Sequence, residues 1–166
     1  RRQRQMCIRD SIITAVKEWC SNSDTAKDKY GHISDWNTSA VTNMKGLFKQ
    51  NALKGPKTQN FNDDISKWDT SNVTDMAEMF MVAETFNQPL NTNEVTKNGK
   101  TYTAWDVSNV TDMASMFEGA FKFNQPLDKW DTGKVGSNFV WYIHSKSKYK
   151  ISRNDFYKLS IDLKDD

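Results

Sequence analysis

The sequence predicts an α/β repeat protein: a solenoid of about four 25-residue coils, each a short strand plus a short helix, with an N-terminal capping helix. Three observations carry this expectation. Two phrases recur in register along the chain. Apolar residues inside each copy return at intervals of three and four. The composition supplies turns and caps rather than a conventional aliphatic core.

The composition sets the problem that repetition solves. Leu, Ile, Val and Phe together make 32 of 166 residues, about 19%, the level that signals disorder when net charge is also high. Here 23 Lys and Arg face 21 Asp and Glu, for a formal charge of +2, so only half of that rule applies. The aliphatics are replaced by 20 aromatic residues, six of them Trp, and by 7 Met, set among 15 Asn, 14 Thr and 16 Asp but only 5 Glu. Short carboxylates and amides bond nearby backbone amides and so favour turns and caps.

The first phrase reads Asp35-Trp36-Asn37-Thr38-Ser39-Ala40-Val41-Thr42-Asn43-Met44. It returns from Lys67 to Met76 and from Ala104 to Met113, and decays from Lys129 to Val135. The second phrase stands at Phe61-Asn62-Asp63-Asp64-Ile65, Phe86-Asn87-Gln88-Pro89-Leu90 and Phe123-Asn124-Gln125-Pro126-Leu127. Phe61 to Phe86 and Trp105 to Trp130 are both 25 residues, while Trp36 to Trp68 is 32 and Trp68 to Trp105 is 37. Insertions of 7 and 12 residues therefore lie near 51–59 and 92–103. The resulting organisation is a basic arm at 1–9, a capping helix and lead-in at 10–29, repeats over 30–135 and a C-terminal cap at 136–166.

Each element has a local reason. Asp10 or Ser11 is placed to N-cap a helix over Ser11–Cys20, whose stripe is Ile12, Ile13, Val16, Trp19 and Cys20. Within the repeats, Val73, Met76, Met79 and Phe80 fall at helical spacing, with Thr42, Thr74 and Thr111 at N-cap positions. The segments 65–69 and 127–131 are too short for a helix and read as strands, and where the second phrase carries a proline, Pro89 before Leu90 and Pro126 before Leu127, that proline keeps a helix from running into this position. In the last part of the chain, 139–143 and 146–151 leave the repeat pattern, and 154–159 reads as a short helix.

No 25-residue unit of this kind encloses its own apolar face, so equivalent residues are expected to form columns. The predicted repeat core is Trp36, Trp68, Trp105 and Trp130; Val41, Val73, Val110 and Val135; Met44, Met76 and Met113; and Phe48, Phe80 and Phe117, with Tyr142 one step on.

The two phrases, with the lead-in from Tyr30 to Trp36, resemble the BspA-like, leucine-rich-repeat-type surface proteins, also described as the Mycoplasma lipoprotein-associated repeat family. The likeness spans Tyr30 to Val135, about two thirds of the chain. It departs most in the first copy, at Asn37 and Ala40, and in the last, at Gly133, Lys134 and Gly136. It implies a leucine-rich-repeat-like solenoid, a surface or extracellular location, and a role in adhesion or protein interaction, with no catalytic residues.

The chemistry agrees with a non-enzyme. Only His32 and His144 offer imidazoles, Cys20 lies on an apolar stripe, and 7 Gly include no phosphate-cradling loop. Cys7 and Cys20 match no zinc or redox spacing. On one helix they stand about 20 Å apart, beyond disulfide reach. The column Asp69, Asp106 and Asp131 allows calcium between coils, but capping of the following turn is the favoured reading. No metal or cofactor is expected. Nucleic acid is not an expected partner, because 30–135 carries 10 positive against 13 negative charges. No apolar run reaches the roughly 18 residues of a membrane span.

The expected function is a protein-interaction or adhesion module whose partner is a protein, an assembly neighbour or a glycan. The alternative is a structural subunit decorating a cell envelope, an appendage or a virion. Candidate contacts are Arg1, Arg2 and Arg4 in the basic arm and Asn98, Lys100 and Tyr102 in the second insertion, where Asn98-Gly99 reads as a tight turn. Glycosylation sequons stand at Asn37, Asn72 and Asn109, the latter two expected to turn inward and bond the repeat.

Overall fold

The computed structural model describes residues 12–50 and 61–136. The expected basic arm, the helix N-cap at Asp10 or Ser11, the first insertion, Tyr142 and nearly all of the C-terminal cap lie outside the described residues.

Among those residues the regular structure is two helices, α1 (Ile12–Ser21) and α2 (Ser23–Tyr30), a 3-10 turn at Ile33–Asp35, and a two-stranded antiparallel sheet of β1 (Asn93–Lys97) and β2 (Lys100–Ala104). This overturns the expected solenoid of four strand-plus-helix coils. Among the described residues the repeat segments after each Trp contain no α-helix and, outside the inserted hairpin, no strand; they are built from turns joined side by side. The single N-terminal capping helix is likewise replaced by a helix pair.

The physical reason lies in the backbone of the Met-containing segment. Gly46, Glu78 and Ser115, each two residues after its Met, have φ of +60°, +58° and +53°, and a left-handed residue interrupts a right-handed helix. The amides also point sideways. Those of Met76, Glu78, Phe80 and Val82 donate to the carbonyls of Asp112, Ala114, Met116 and Glu118 at 2.6–2.9 Å. Those of Met79, Met81 and Ala83 close tight turns onto the carbonyls of Met76, Glu78 and Phe80. The segment from Met44 to Gln50 repeats this alternation against Asp75 to Met81. Every second amide thus leaves the segment, and the three-residue turn places Val73, Met76 and Met79 inward at a spacing that imitates a helical face.

The threonines read as N-caps do a different job. Thr74 donates both its amide and its hydroxyl to the Thr42 carbonyl, and Thr111 does the same to Thr74. Parallel bridges join Asn43 to Asp75 and Asp75 to Asp112 beside them. The segments read as strands instead close turns, with Trp68 N–H donating to Ile65 and Trp130 N–H to Leu127.

The core is a set of aromatic rows. Phe48, Phe80 and Phe117 stack at centroid spacings of 5.3 and 5.5 Å, and Phe61, Phe86 and Phe123 at 5.8 Å throughout. The two rows face one another at 4.1 to 4.3 Å. Trp36 stacks on Trp68, and Trp105 on Trp130. Each indole also finds a backbone acceptor: Trp68 Nε1 donates to Ile33, Trp105 Nε1 to Ile65 and Trp130 Nε1 to Leu90, at 2.7 to 2.9 Å. Each thereby satisfies a donor that burial would otherwise penalise. Among the described residues, those predicted as repeat core are all buried except Val135, which is half-buried against the cluster.

Helix α1 buries Ile12, Ala15, Val16 and Trp19 and leaves Ile13 nearly half exposed, so Ile13 is not part of the inward stripe. Trp19 fastens the helix to the repeats, with Nε1 donating to Asp63 at 2.8 Å and its ring edge-on to Trp36. Helix α2 occupies what the sequence offered as a polar lead-in. Its signals are local: Asn22 caps Thr25 N–H, Asp24 stands in the first turn, Lys27 and Lys29 in the last, and the Gly31 amide closes the end at φ +78°.

Candidate interaction surface

The second insertion folds into the β1–β2 hairpin. Asn98 and Gly99 occupy its two-residue loop with φ of +52° and +75°, the pair of left-handed residues that a type I′ turn requires and that Asn-Gly adopts at least cost. The register pairs Asn93 with Ala104, Val95 with Tyr102 and Lys97 with Lys100 on one face, and Glu94 with Thr103 and Thr96 with Thr101 on the other.

The two faces differ. Val95 and Tyr102 are half-buried and pack on the core cluster, and Ala104 is buried. Three ties hold this face to the body. The Tyr102 hydroxyl donates to the Lys67 carbonyl. Lys97 Nζ reaches the Asp35 carbonyl at 2.8 Å and its carboxylate at 3.2 Å. At the base, Thr92 Oγ1 donates to the Trp105 carbonyl at 2.9 Å. The hairpin therefore reaches back across the Trp segments of the two preceding copies. Burial, with the nearby charges of Asp69 and Asp35, raises the Tyr102 phenol above its ordinary value, so it stays a neutral donor.

The outer face is polar and open: Glu94, Thr96, Thr101 and Thr103 are exposed, and the Thr96 and Thr101 hydroxyls lie 2.9 Å apart. Asn98 and Lys100 are exposed at the tip. Of the candidate contacts, Asn98 and Lys100 thus stand free at one end, whereas Tyr102 is turned inward as an anchor. Arg1, Arg2 and Arg4 lie outside the described residues. Lys97 and Thr92 were not singled out by sequence. Thr92 carried a signal, since it opens the inserted segment 92–103, but nothing in the sequence pairs Lys97 with Asp35, 62 residues away.

The acidic column is occupied by its own backbone. Asp69 Oδ1 accepts from the Ser71 amide and hydroxyl, Asp106 Oδ1 from the Ser108 amide and Asp131 Oδ1 from the Gly133 amide, at 2.7 to 3.1 Å. Asn37 does the same for Ser39. These are Asx turns. Among the described residues no group of acidic, His or Cys side chains converges to hold a metal ion, and no helix is long and apolar enough to cross a membrane.

Cys20 is half-buried beside Asp63, and burial first, with that carboxylate second, pushes its thiol up to about 11. Such a thiol has almost no thiolate near neutral pH and is a poor nucleophile.

No curated protein and no solved structure matches the chain. Residues 93–153, which begin at the hairpin and run through the third and fourth copies, match the family model described as a Mycoplasma protein of unknown function, DUF285, and are similar to that family over this span.

Proposed function

We propose that the chain is a non-enzymatic recognition module of a surface-exposed protein, engaging a protein or glycan through the polar outer face of the β1–β2 hairpin. The observation that supports this reading is the hairpin itself. Twelve residues beyond the 25-residue unit form an ordered hairpin with one face fixed to the body, the other offering the hydroxyls of Thr96, Thr101 and Thr103 and the Glu94 carboxylate to solvent, and a tip that adds the Asn98 amide and the Lys100 ammonium. Positioned polar groups on a rigid scaffold suit recognition, and pre-organisation lowers the entropy that binding must overcome.

A single deletion tests it. Removing Asn93–Ala104 joins Thr92 to Trp105, giving Leu90-Asn91-Thr92-Trp105, the spacing found in Leu127-Asp128-Lys129-Trp130. The intact chain is expected to be retained on a panel of immobilised extracellular-matrix proteins and glycans, and the deletion variant to keep its folded Trp fluorescence but lose that retention. Equal retention of both, or fixed-stoichiometry purification with an envelope or particle lattice and no soluble ligand, overturns the reading.

A further inference from the structure

The three sequons are not equivalent in the folded chain. Asn72 and Asn109 occupy one column of the repeat, and their amide nitrogens are committed: Asn72 Nδ2 donates to the Ser39 carbonyl and Asn109 Nδ2 to the Ser71 carbonyl, both at 2.8 Å. These bonds link neighbouring copies. A glycan on either nitrogen would remove a donor hydrogen and place a sugar between two backbones that lie in hydrogen-bond contact.

Asn37 belongs to a different column. It stands where later copies have Asp69, Asp106 and Asp131, and its sequon arises because the first copy has Asn there followed by Thr38-Ser39. Its Oδ1 accepts from the Ser39 amide at 3.2 Å and the Ser39 hydroxyl at 2.8 Å, so the turn is held by the oxygen alone. Its Nδ2 makes no hydrogen bond among the described residues, and the side chain is exposed. The inter-copy position of this first unit is filled by Ala40, which needs no amide donor.

We infer that Asn37 is the N-glycosylation acceptor of this chain wherever it passes a glycosylating compartment, and that Asn72 and Asn109 are structural asparagines. In the reaction, Asn37 Nδ2 forms a bond to C1 of a sugar carried on a lipid or nucleotide pyrophosphate. The C1–O bond to phosphate breaks, one amide proton leaves, and the pyrophosphate carrier departs as the leaving group. Asn37 Oδ1 keeps both bonds to Ser39, so the attached sugar leaves the turn intact.

The test uses the whole chain secreted through a eukaryotic host, with site occupancy mapped by enzymatic deglycosylation in heavy-oxygen water and mass spectrometry. The folded, secreted product is expected to carry one glycan, at Asn37. N37Q is expected to lose that mass while melting with the unglycosylated chain, whereas N72Q and N109Q are expected to keep it and melt lower. A folded product glycosylated at Asn72 or Asn109, an unoccupied Asn37, or N37Q melting as low as N72Q each overturns the assignment. None of these outcomes depends on whether the hairpin binds a ligand.

Discussion

Gly119 and Val82 meet backbone to backbone across neighbouring copies: a Cβ on Gly119 would lie 3.3 Å from Val82 Cα and 3.5 Å from its amide nitrogen. Both residues have left-handed backbone, φ +73° and +62°, and the Val82 amide donates to the Glu118 carbonyl at 2.6 Å. Val is β-branched and this region is costly for it, so the ladder around it compensates the strain. Gly119→Ala adds a left-handed penalty and a contact that neither backbone readily yields. A loss of about 1–2 kcal/mol is expected from the conformational cost alone, read as a lower urea midpoint. Val82→Gly introduced alongside it removes Cγ2, 3.5 Å from the added Cβ, but keeps Cα and the amide, so most of the Gly119→Ala loss should persist in the Val82→Gly background; its disappearance there would show that the side chain and not the backbone carries the contact.

The indole ladder sets a second expectation. Trp68 is fully buried, and its Nε1 donates to the Ile33 carbonyl at 2.9 Å. Trp68→Phe keeps much of the aromatic surface but removes the indole bond; the Ile33 carbonyl still accepts from the Trp36 amide at 3.3 Å, so the loss should be about 0.5–1.5 kcal/mol. Trp68→Ala adds a cavity and should cost about 3–5 kcal/mol. Equilibrium denaturation of the two variants checks both the direction and the order.

What the sequence made legible, and what it hid, follows from these same residues. The columns were visible because each copy repeats its large residues in register, and the hairpin because Asn98-Gly99 has a distinctive turn chemistry. The helices expected inside the repeats were not there, because Glu78 and Ser115 adopt a left-handed conformation that their residue types do not announce. Only Gly46 at the equivalent site gave a hint. An inward spacing of three, produced by successive tight turns, imitated a helical stripe. Helix α2 was overlooked for the opposite reason: it buries only Ala26, so hydrophobic periodicity was silent and only its caps spoke.

Hairpin docking should respond to alkali. The Tyr102 phenol is raised above its ordinary value of about 10, so the folded state binds its proton more tightly than the unfolded state. The stabilisation is therefore fully present below about pH 10 and is lost as pH rises through the higher folded value. Hydrogen exchange at 93–104 should accelerate above that point, and Tyr102→Phe should show fast exchange there at neutral pH while the Trp rows stay protected. Unchanged hairpin exchange in Tyr102→Phe would show that the Lys67 contact does not hold it.

Alkylation gives a separate readout for Cys20. With its thiol near 11 against an ordinary value of about 8.5, the native thiolate fraction at pH 8 is lower by roughly two orders of magnitude. Iodoacetamide should label Cys20 at least about 100-fold more slowly in the native chain than in urea, with Cys7→Ser used to isolate the signal. Comparable rates would mean that Cys20 is not shielded.

Thr70 and Val107 occupy equivalent places in successive copies and offer a reciprocal exchange. Thr38 and Thr70 are buried, and their hydroxyls donate to the carbonyls of Asp69 and Asp106 in the next copy at 2.9 and 2.8 Å. Val107, buried at the same point of the third copy, has no hydroxyl for the fourth. Thr70→Val should leave the Asp106 carbonyl without this donor and lower stability by about 1–3 kcal/mol. Val107→Thr supplies a donor where the repeat geometry places the Asp131 carbonyl, so its desolvation is offset by a new bond and the net change should stay within about 1 kcal/mol. Paired melts decide the matter: equal destabilisation by both exchanges would mean that the hydroxyl bonds between copies contribute little and that packing alone sets the residue at this position.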